Sequence, residues 1–114
     1  MASTIDLQQA YLFQGLSDSD LEKVAAAVRE ATFEPGEYVY KKGDRGLTFY
    51  VIAEGKVELI SQERDGTVSV FGHISTGGHF GEVSLFTGKP RSLSVRTLTV
   101  VRLLCFAKEQ FAGF

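Results

Sequence analysis

The sequence has few of the residues expected in a secreted, metal-binding or membrane-spanning protein. Its single cysteine, Cys105, has no second thiol in the chain with which to form a disulfide. Its two histidines, His73 and His79, are each expected to be an ordinary strand or loop histidine, because no nearby third residue completes a metal-ligand motif. No apolar run approaches the roughly 18 residues of a membrane-spanning helix. These absences argue against a disulfide framework, a metal centre and a membrane segment.

An excess of positive charge is also missing. Twelve lysines and arginines face fourteen acidic residues, giving a net charge of −2. A protein that binds DNA or RNA through its phosphates needs a basic surface field, so we expect no nucleic acid partner for this chain alone. The polar start "MASTIDLQQ" lacks the apolar core of a secretory signal. With the lone thiol of Cys105, this predicts a cytoplasmic location.

Apolar residues are abundant enough to fill one core. Of the 114 residues, 44% are hydrophobic and 23% are charged, which is typical of a globular protein rather than a disordered one. The length suits one domain, and no linker or repeat divides it. We therefore expect residues 1–114 to form a single domain.

The first third of the chain predicts a helix. In "GLSDSDLEKVAAAVRE", Ser17 occupies the N-cap position and Asp20 completes an acidic variant of the capping box. Apolar residues then recur at helical spacing: Leu21, Val24, Ala25 and Val28. Segment 1–32 is thus predicted to be an N-terminal helical segment.

From Phe33 onward the apolar period changes to two. Short runs of strand-forming residues are separated by turn signals: "EPGE", "GDRG", Glu54-Gly55 and Asp65-Gly66. The run "SLSVRTLTVVRLLCF" adds two more strands. This pattern predicts a mainly β fold, an antiparallel barrel or jelly roll over residues 33–106. The final "AKEQFAGF", residues 107–114, predicts the start of a C-terminal helix that the chain cuts short.

A glycine-rich insert, "GGHFGEVSLFTGKPRS" at residues 77–92, interrupts the strands. Gly81 permits close approach to the main chain, and "EVSLF" is long enough for about one helical turn. The planar donor fork of Arg91 suits phosphate oxygens, and Ser92 adds a hydroxyl. Glu82 would repel a phosphate and instead fits hydroxyl donors such as those of a ribose. These residues predict a sugar-phosphate or nucleotide site; the alternative is a surface loop in which Glu82 and Arg91 pair with each other or with solvent.

"FGEVSLFTGKPRSLSV" resembles the phosphate-binding cassette of the cyclic-nucleotide-binding domain. That domain occurs in catabolite-activator-type regulators, in regulatory subunits of cyclic-AMP-dependent kinase and in cyclic-nucleotide-gated channels. "LFQGLSDSDLEKVA", "PGEYVYKKGDRG" and "VRLLCFAKEQF" extend the resemblance over nearly the whole chain. It implies a jelly-roll barrel of about eight strands, with a helical N-terminal segment, a short cassette helix and a C-terminal helix.

The resemblance also implies residue roles. Glu82 matches the glutamate that accepts a hydrogen bond from the ribose 2′-hydroxyl, and Arg91 matches the arginine that pairs with the cyclic phosphate. Ser92 matches a residue that contacts phosphate and, in some members, the guanine edge; Leu85 matches an apolar pocket residue. The expected ligand-binding residues are Phe80, Gly81, Glu82, Val83, Leu85, Arg91, Ser92 and Leu93.

The expected function is a regulatory sensor that binds a cyclic nucleotide, cyclic AMP in preference to cyclic GMP, without a cofactor. It would relay binding to an effector domain of a longer parent protein or to a partner protein. A second copy of the chain is another candidate partner, since Phe106, Phe111 and Phe114 would otherwise partly lack contacts. We expect no enzymatic activity, because Cys105 and the serines have no histidine-centred arrangement.

One alternative remains from the sequence: a degenerate barrel that binds no nucleotide and serves as a structural or protein-interaction module. Leu93 favours it, because the family usually has alanine at that position. Thr97 likewise replaces a frequent alanine. The presence of both Glu82 and Arg91 opposes it.

Overall fold

The computed structural model describes residue 10 and residues 14–107. Helix α1 spans Asp18–Ala27 and a short helix, α2, spans Glu82–Thr87. The strands are β1 (Arg29–Phe33), β2 (Tyr38–Tyr40), β3 (Thr48–Glu54), β4 (Lys56–Gln62), β5 (Val68–Ser75), β6 (His79–Phe80), β7 (Ser94–Thr97) and β8 (Val101–Ala107). The predicted C-terminal helix at 107–114 lies outside the described residues, apart from Ala107, which ends β8.

The eight strands form two antiparallel sheets. Sheet A has the order β1-β8-β3-β6 and sheet B the order β2-β7-β4-β5. The predicted mainly β jelly-roll fold is confirmed, although among the described residues hydrogen bonds do not close the two sheets into one barrel.

Sheet A packs against two clusters, and its central strands, β3 and β8, are buried on both faces. Its outer face packs on α1 through a cluster that includes Leu21, Val24, Phe49, Leu104 and Phe106. Its inner face packs toward sheet B through a second cluster: Ile52, Val57, Phe80, Val95, Val101, Leu103 and Cys105. Because successive residues of β3 and β8 point alternately to these clusters, both strands read as nearly continuous apolar runs.

The N-terminal helix begins as predicted, but the first strand begins earlier. The Ser17 hydroxyl caps α1 by accepting from the Asp20 amide at 3.2 Å. The predicted boundary at Phe33 was wrong, because β1 starts at Arg29 and pairs along its whole length with β8. The charged start of β1 does not alternate with apolar residues, so the period of two is not visible there.

The turn at Glu54-Gly55 joins two strands, as predicted, but moves the chain between sheets. Strand β3 belongs to sheet A and β4 to sheet B. Gly55 has a φ of +115°, and a Cβ there would lie 2.5 Å from the Val100 carbonyl oxygen. Only glycine permits this crossing. The predicted Asp65-Gly66 hairpin is confirmed between β4 and β5.

Three other sequence observations have structural explanations. Thr97 is buried, and its hydroxyl donates to the Glu34 carbonyl at 2.6 Å, fixing the "EPGE" turn. Phe106 stacks on Phe49 inside the outer cluster, so the expectation that it partly lacks partners in this chain was wrong; Phe111 and Phe114 lie outside the described residues. Cys105 is buried, and burial raises the pKa of its thiol.

None of the helices in the described part of the chain is long and apolar enough to span a membrane.

Candidate functional site

A cavity of about 170 Å³ lies between the inner face of sheet B and the glycine-rich insert. Its lining includes seven of the eight residues predicted for ligand binding: Phe80, Gly81, Glu82, Val83, Arg91, Ser92 and Leu93. The eighth, Leu85, is buried on the opposite side of α2, in the cluster that packs on α1. The fold therefore brings both candidate ligand-binding charges, Glu82 and Arg91, to one cavity.

The backbone of the insert is shaped at Gly81, the N-cap of α2. Gly81 has a φ of +92°, in the left-handed region that side chains disfavour. A Cβ at this position would lie 3.0 Å from Nη1 of Arg91 and 3.3 Å from the Thr48 carbonyl oxygen. A side chain at Gly81 would therefore crowd Arg91. This requirement for glycine is additional to the predicted one, which is that a ligand can approach the main chain closely.

The main chain at Arg91 is fixed by the loop between β2 and β3. Its amide donates to the Asp44 carbonyl at 2.8 Å, and its carbonyl accepts from the Gly43 amide at 2.8 Å. Gly46 lies against the same region, where a Cβ would overlap the Ser84 side chain and lie 3.2 Å from Cζ of Arg91. The "GDRG" loop therefore packs against Arg91 and fixes the position of its main chain.

Arg91 is only 4% exposed, and its guanidinium is held on three sides. Nη1 donates to the Gly81 carbonyl at 2.6 Å, and Nη2 donates to the Thr48 carbonyl. The Tyr40 ring lies beneath the plane, with Cζ 4.0 Å from the ring centroid. These contacts use two of the five N–H donors of a guanidinium and fix its orientation.

The charge of Arg91 is not balanced by an acid in the part of the chain that the structure describes. Within the described ranges, no carboxylate forms an ion pair with it, and its buried Nε has no hydrogen-bond partner. A buried charge is normally paired, because desolvation without a counter-charge is costly. The cavity wall thus presents a fixed, desolvated cation with unused donor capacity.

Glu82 lies on the same cavity wall, beside His79. The Glu82 Oε2 and His79 Nδ1 atoms are 3.4 Å apart, within ion-pair distance, and neither makes a hydrogen bond within the described residues. The Glu82 side chain is 34% exposed and lines the cavity. The alternative that Glu82 and Arg91 pair with each other or with solvent does not fit Arg91, which forms no ion pair with Glu82 and is only 4% exposed.

Five lining residues were not among the predicted site residues: Tyr40, Leu59, Ile74, His79 and Ser84. Tyr40, Leu59 and Ile74 come from β2, β4 and β5, which only the sheet order brings beside the insert. His79 stands three residues before Glu82, and this spacing was the one local signal that could have identified it. Burial raises the pKa of Tyr40 to about 12, although nearby Arg91 opposes the shift.

A resident metal ion has no evident ligand set here. Among residue 10 and residues 14–107, no three or more His, Cys, Asp and Glu side chains converge as metal ligands. The polar groups of the cavity are instead a guanidinium, a carboxylate, an imidazole, a phenol and serine hydroxyls. This set suits an organic anion that carries hydroxyl groups.

The comparison with known families agrees with this chemistry. A profile of the cyclic nucleotide-binding domain matches residues 30–114, well over half of the chain. The chain therefore belongs to the cyclic nucleotide-binding domain family.

Individual relatives come from several kinds of protein. The chain is 31% identical over 109 residues to the cyclic nucleotide-gated channel alpha-4 of Mus musculus, an alignment that covers 90% of this chain and 18% of the channel. It is similar to the regulatory domain of Toxoplasma gondii PKA solved with cAMP, with a TM-score of 0.84 and 26% identity, over 96% of this chain and 42% of that one.

A second structural relative binds a different ligand. The regulatory subunit of a cAMP-independent protein kinase A from Trypanosoma cruzi, bound to guanosine, matches with a TM-score of 0.86 and 27% identity, over 96% of this chain and 38% of that one. The chain thus spans less than half the length of each of these three relatives.

Proposed function

We propose that this domain is a non-catalytic sensor that binds a cyclic nucleotide, with cyclic AMP preferred over cyclic GMP. The observation that carries the proposal is Arg91, a buried guanidinium without an acidic partner in the described chain, facing the same cavity as Glu82. An anionic ligand with a hydroxyl group satisfies both residues at once.

The phosphate end of the ligand is assigned to Arg91 and the backbone around it. Two main-chain carbonyls and the Tyr40 ring already orient the guanidinium, so little side-chain entropy is lost when an anion binds. Nε and the second hydrogens of the two Nη atoms supply the donors. Ser92, which also lines the cavity, adds a hydroxyl beside them.

The ribose and base ends face different surfaces. Glu82 accepts from the ribose hydroxyl, as the residue types predicted. The base lies toward the apolar part of the lining: Leu59, Ile74, Val83 and Leu93. This wall offers few partners for the polar edge of guanine, which supports the preference for adenine. The two structural relatives, one with cAMP and one with guanosine, make the choice of base an experimental question.

Transmission to an effector starts at the contact between Arg91 and Thr48. Thr48 is the first residue of β3, which pairs with β8 in the centre of sheet A. A ligand that shifts the Arg91 guanidinium would therefore also shift Thr48 and the centre of sheet A. The effector belongs to a longer parent protein or to a partner protein, and the reduced thiol of Cys105 favours a cytoplasmic setting.

A second candidate function, a barrel that binds no nucleotide and acts in protein interactions, is favoured by one observation. Leu93 lines the cavity, whose volume of 170 Å³ is below the roughly 300–1,000 Å³ of typical ligand pockets. Under this hypothesis Arg91 has a purely structural role, tying the insert to β3.

Calorimetric titration with cyclic AMP, cyclic GMP and adenosine distinguishes the two candidates. The sensor hypothesis expects cyclic AMP to bind most tightly and adenosine, which lacks the phosphate, to bind much more weakly. At about 100 times its dissociation constant, cyclic AMP should stabilise the fold by about 2.7 kcal/mol in a thermal-shift assay. No heat and no shift with either cyclic nucleotide at millimolar concentration would favour the interaction module.

A further inference from the structure

Strand β5 is the only long edge strand without charged residues in the described part of the chain. The two sheets end in β1 and β6 and in β2 and β5. Strands β6 and β2 have only two and three residues, and β1 begins with the charged residues Arg29 and Glu30. Short or charged edges resist pairing with another chain. In contrast, β5 has eight residues, and none of them is Lys, Arg, Asp, Glu or Pro.

The exposed side chains of β5 are apolar. Val68 and Val70 are exposed, and Phe71 is 65% exposed. A bulge interrupts the strand at Phe71, because Val70 lies opposite Ile60 of β4 and Gly72 is the next residue with a partner. A long apolar edge of this kind can pair with a strand of another molecule.

Gly72, in the middle of the strand, is not required by the fold of a single copy. It is not among the glycines with positive φ, so the neighbouring bulge does not need a glycine there. A Cβ on Gly72 would meet no atom within 4 Å apart from its chain neighbours. Glycine weakens a strand interior and often marks a place where another backbone approaches closely. The open space at Gly72 therefore indicates a contact with a second molecule.

Two copies of β5 are complementary to each other in an antiparallel pair. The midpoint of Val68–Ser75 lies between Phe71 and Gly72. A two-fold axis at this point places Phe71 of each copy opposite the partner's Gly72. The exposed ring of one copy then covers the open glycine of the other, and the contact occurs twice in each pair.

The charges at the two ends of the β4–β5 hairpin favour the same arrangement. The turn before β5 contains residues 63–65, which are two acids and one base. Lys56 lies at the other end, where Glu54 is near Arg102 at 3.9 Å. An antiparallel pair brings the acidic turn of one copy toward the Lys56 end of the other. A parallel pair would place the two acidic turns side by side, where like charges repel.

We propose that this chain forms a two-fold dimer in which β5 pairs antiparallel with β5 of a second copy. The two copies of sheet B then form one continuous sheet. This interface is separate from the cyclic nucleotide site, and the inference does not depend on the proposed function.

Sedimentation equilibrium of the whole chain measures the dissociation constant of the dimer. Phe71→Ala removes the ring from both contacts with Gly72, so the dissociation constant should rise by roughly 2- to 30-fold. Phe86→Ala is the matched control, because Phe86 is also an exposed phenylalanine but lies on α2. It should leave the dissociation constant unchanged.

Disulfide trapping tests the register of the two strands. Phe71→Cys protein is mixed with Gly72→Cys protein under oxidising conditions. The disulfide-linked heterodimer should form faster than either homodimer, because opposite residues of an antiparallel pair lie about 4.5–5.5 Å apart, within the range of a disulfide. The native Cys105 is buried and should not compete.

Three outcomes would overturn the proposal: a strict monomer at millimolar concentration, a dimer whose dissociation constant Phe71→Ala leaves unchanged, or homodimers that are trapped as fast as the heterodimer. Thermal unfolding checks that each variant folds. If Phe71→Ala does not fold, Val70→Lys takes its place, because it adds a charge to the same edge and should also weaken the dimer. None of these measurements involves a nucleotide, so a negative result leaves the proposed function intact.

Discussion

Two arginines on one stretch of chain, Arg91 and Arg96, lie in similar surroundings but differ in how their charge is balanced. Each lies over a tyrosine of β2: Arg91 is 4.0 Å from the Tyr40 ring centroid and Arg96 is 5.9 Å from that of Tyr38. Arg96 is an ion-pair partner of Glu58, with its Nε donating to Oε1 at 2.7 Å. Arg91 is more deeply buried and donates to main-chain carbonyls.

Under the proposed function, the difference separates a structural charge from one that a ligand would balance. On β7, Arg96 lies in register with Tyr38 of β2 and Glu58 of β4, so three adjacent strands of sheet B complete its contacts. Carbonyl oxygens orient Arg91 but carry no full negative charge. The more buried arginine is therefore the one whose charge an external anion would balance.

The largest expected effect is on the affinity for cyclic AMP when Arg91 is replaced. A charge-assisted hydrogen bond contributes about 1.5–3 kcal/mol, so Arg91→Ala should weaken binding by roughly 10- to 150-fold. Arg96→Ala should leave affinity nearly unchanged, because Arg96 does not line the cavity. Calorimetric titration of both variants checks the contrast. Equal losses in the two would contradict the division between a ligand-binding and a structural arginine.

Arg96, which should not affect ligand affinity, should contribute to the stability of the fold. Arg96→Ala leaves the buried Glu58 carboxylate without its partner, and we expect the free energy of unfolding to fall by about 1–2 kcal/mol. The loss is limited because the Arg96 side chain is 34% exposed. The double variant Arg96→Ala with Glu58→Gln should recover part of the loss. Denaturant unfolding measures all three proteins, and absence of recovery would show that the ion pair is not the cause.

Sequence reasoning identified Arg91 and Glu82 because the residue types and glycine spacing of the insert are local. It missed the Glu58–Arg96 pair, whose members meet only through the register of β4 and β7. Tyr40 was missed for the same reason, since sheet order decides which strands face the insert. Leu85 was assigned to the pocket from the family resemblance, and the structure instead places it in the cluster that packs on α1. The one-turn helix has too few residues for its apolar period to indicate which side faces the core.

Leu93 lies between the two arginines in the sequence. Its replacement tests whether the small volume of the cavity limits the affinity for a ligand. Leu93→Ala removes side-chain volume from the cavity wall, so we expect the affinity for cyclic AMP to rise a few-fold. Packing of the half-buried leucine is lost, and the unfolding temperature should fall slightly. Titration and thermal unfolding are measured together. Unchanged or weaker binding would mean that Leu93 contacts the ligand favourably instead of narrowing its site.

The smallest expected effect is on the pH dependence of stability. It follows from the burial of Tyr40, whose ring lies against Arg91. Burial raises the pKa of Tyr40 from 10.0 to about 12, so the folded protein favours the neutral phenol more than the unfolded chain does. Its contribution to stability is complete below the unfolded pKa and is lost as the pH rises from about 10 toward 12.

Tyr40→Phe should therefore make the unfolding free energy less dependent on pH above about 10, because phenylalanine does not ionise. The difference between wild type and variant at about pH 8, where the phenol is neutral in both states, isolates the other effects of the hydroxyl and serves as the internal control. Denaturant unfolding across this range provides the measurement. An identical fall in both proteins would mean that the Tyr40 hydroxyl is open to solvent, and the dry surroundings inferred for the Arg91 guanidinium would then have to be abandoned.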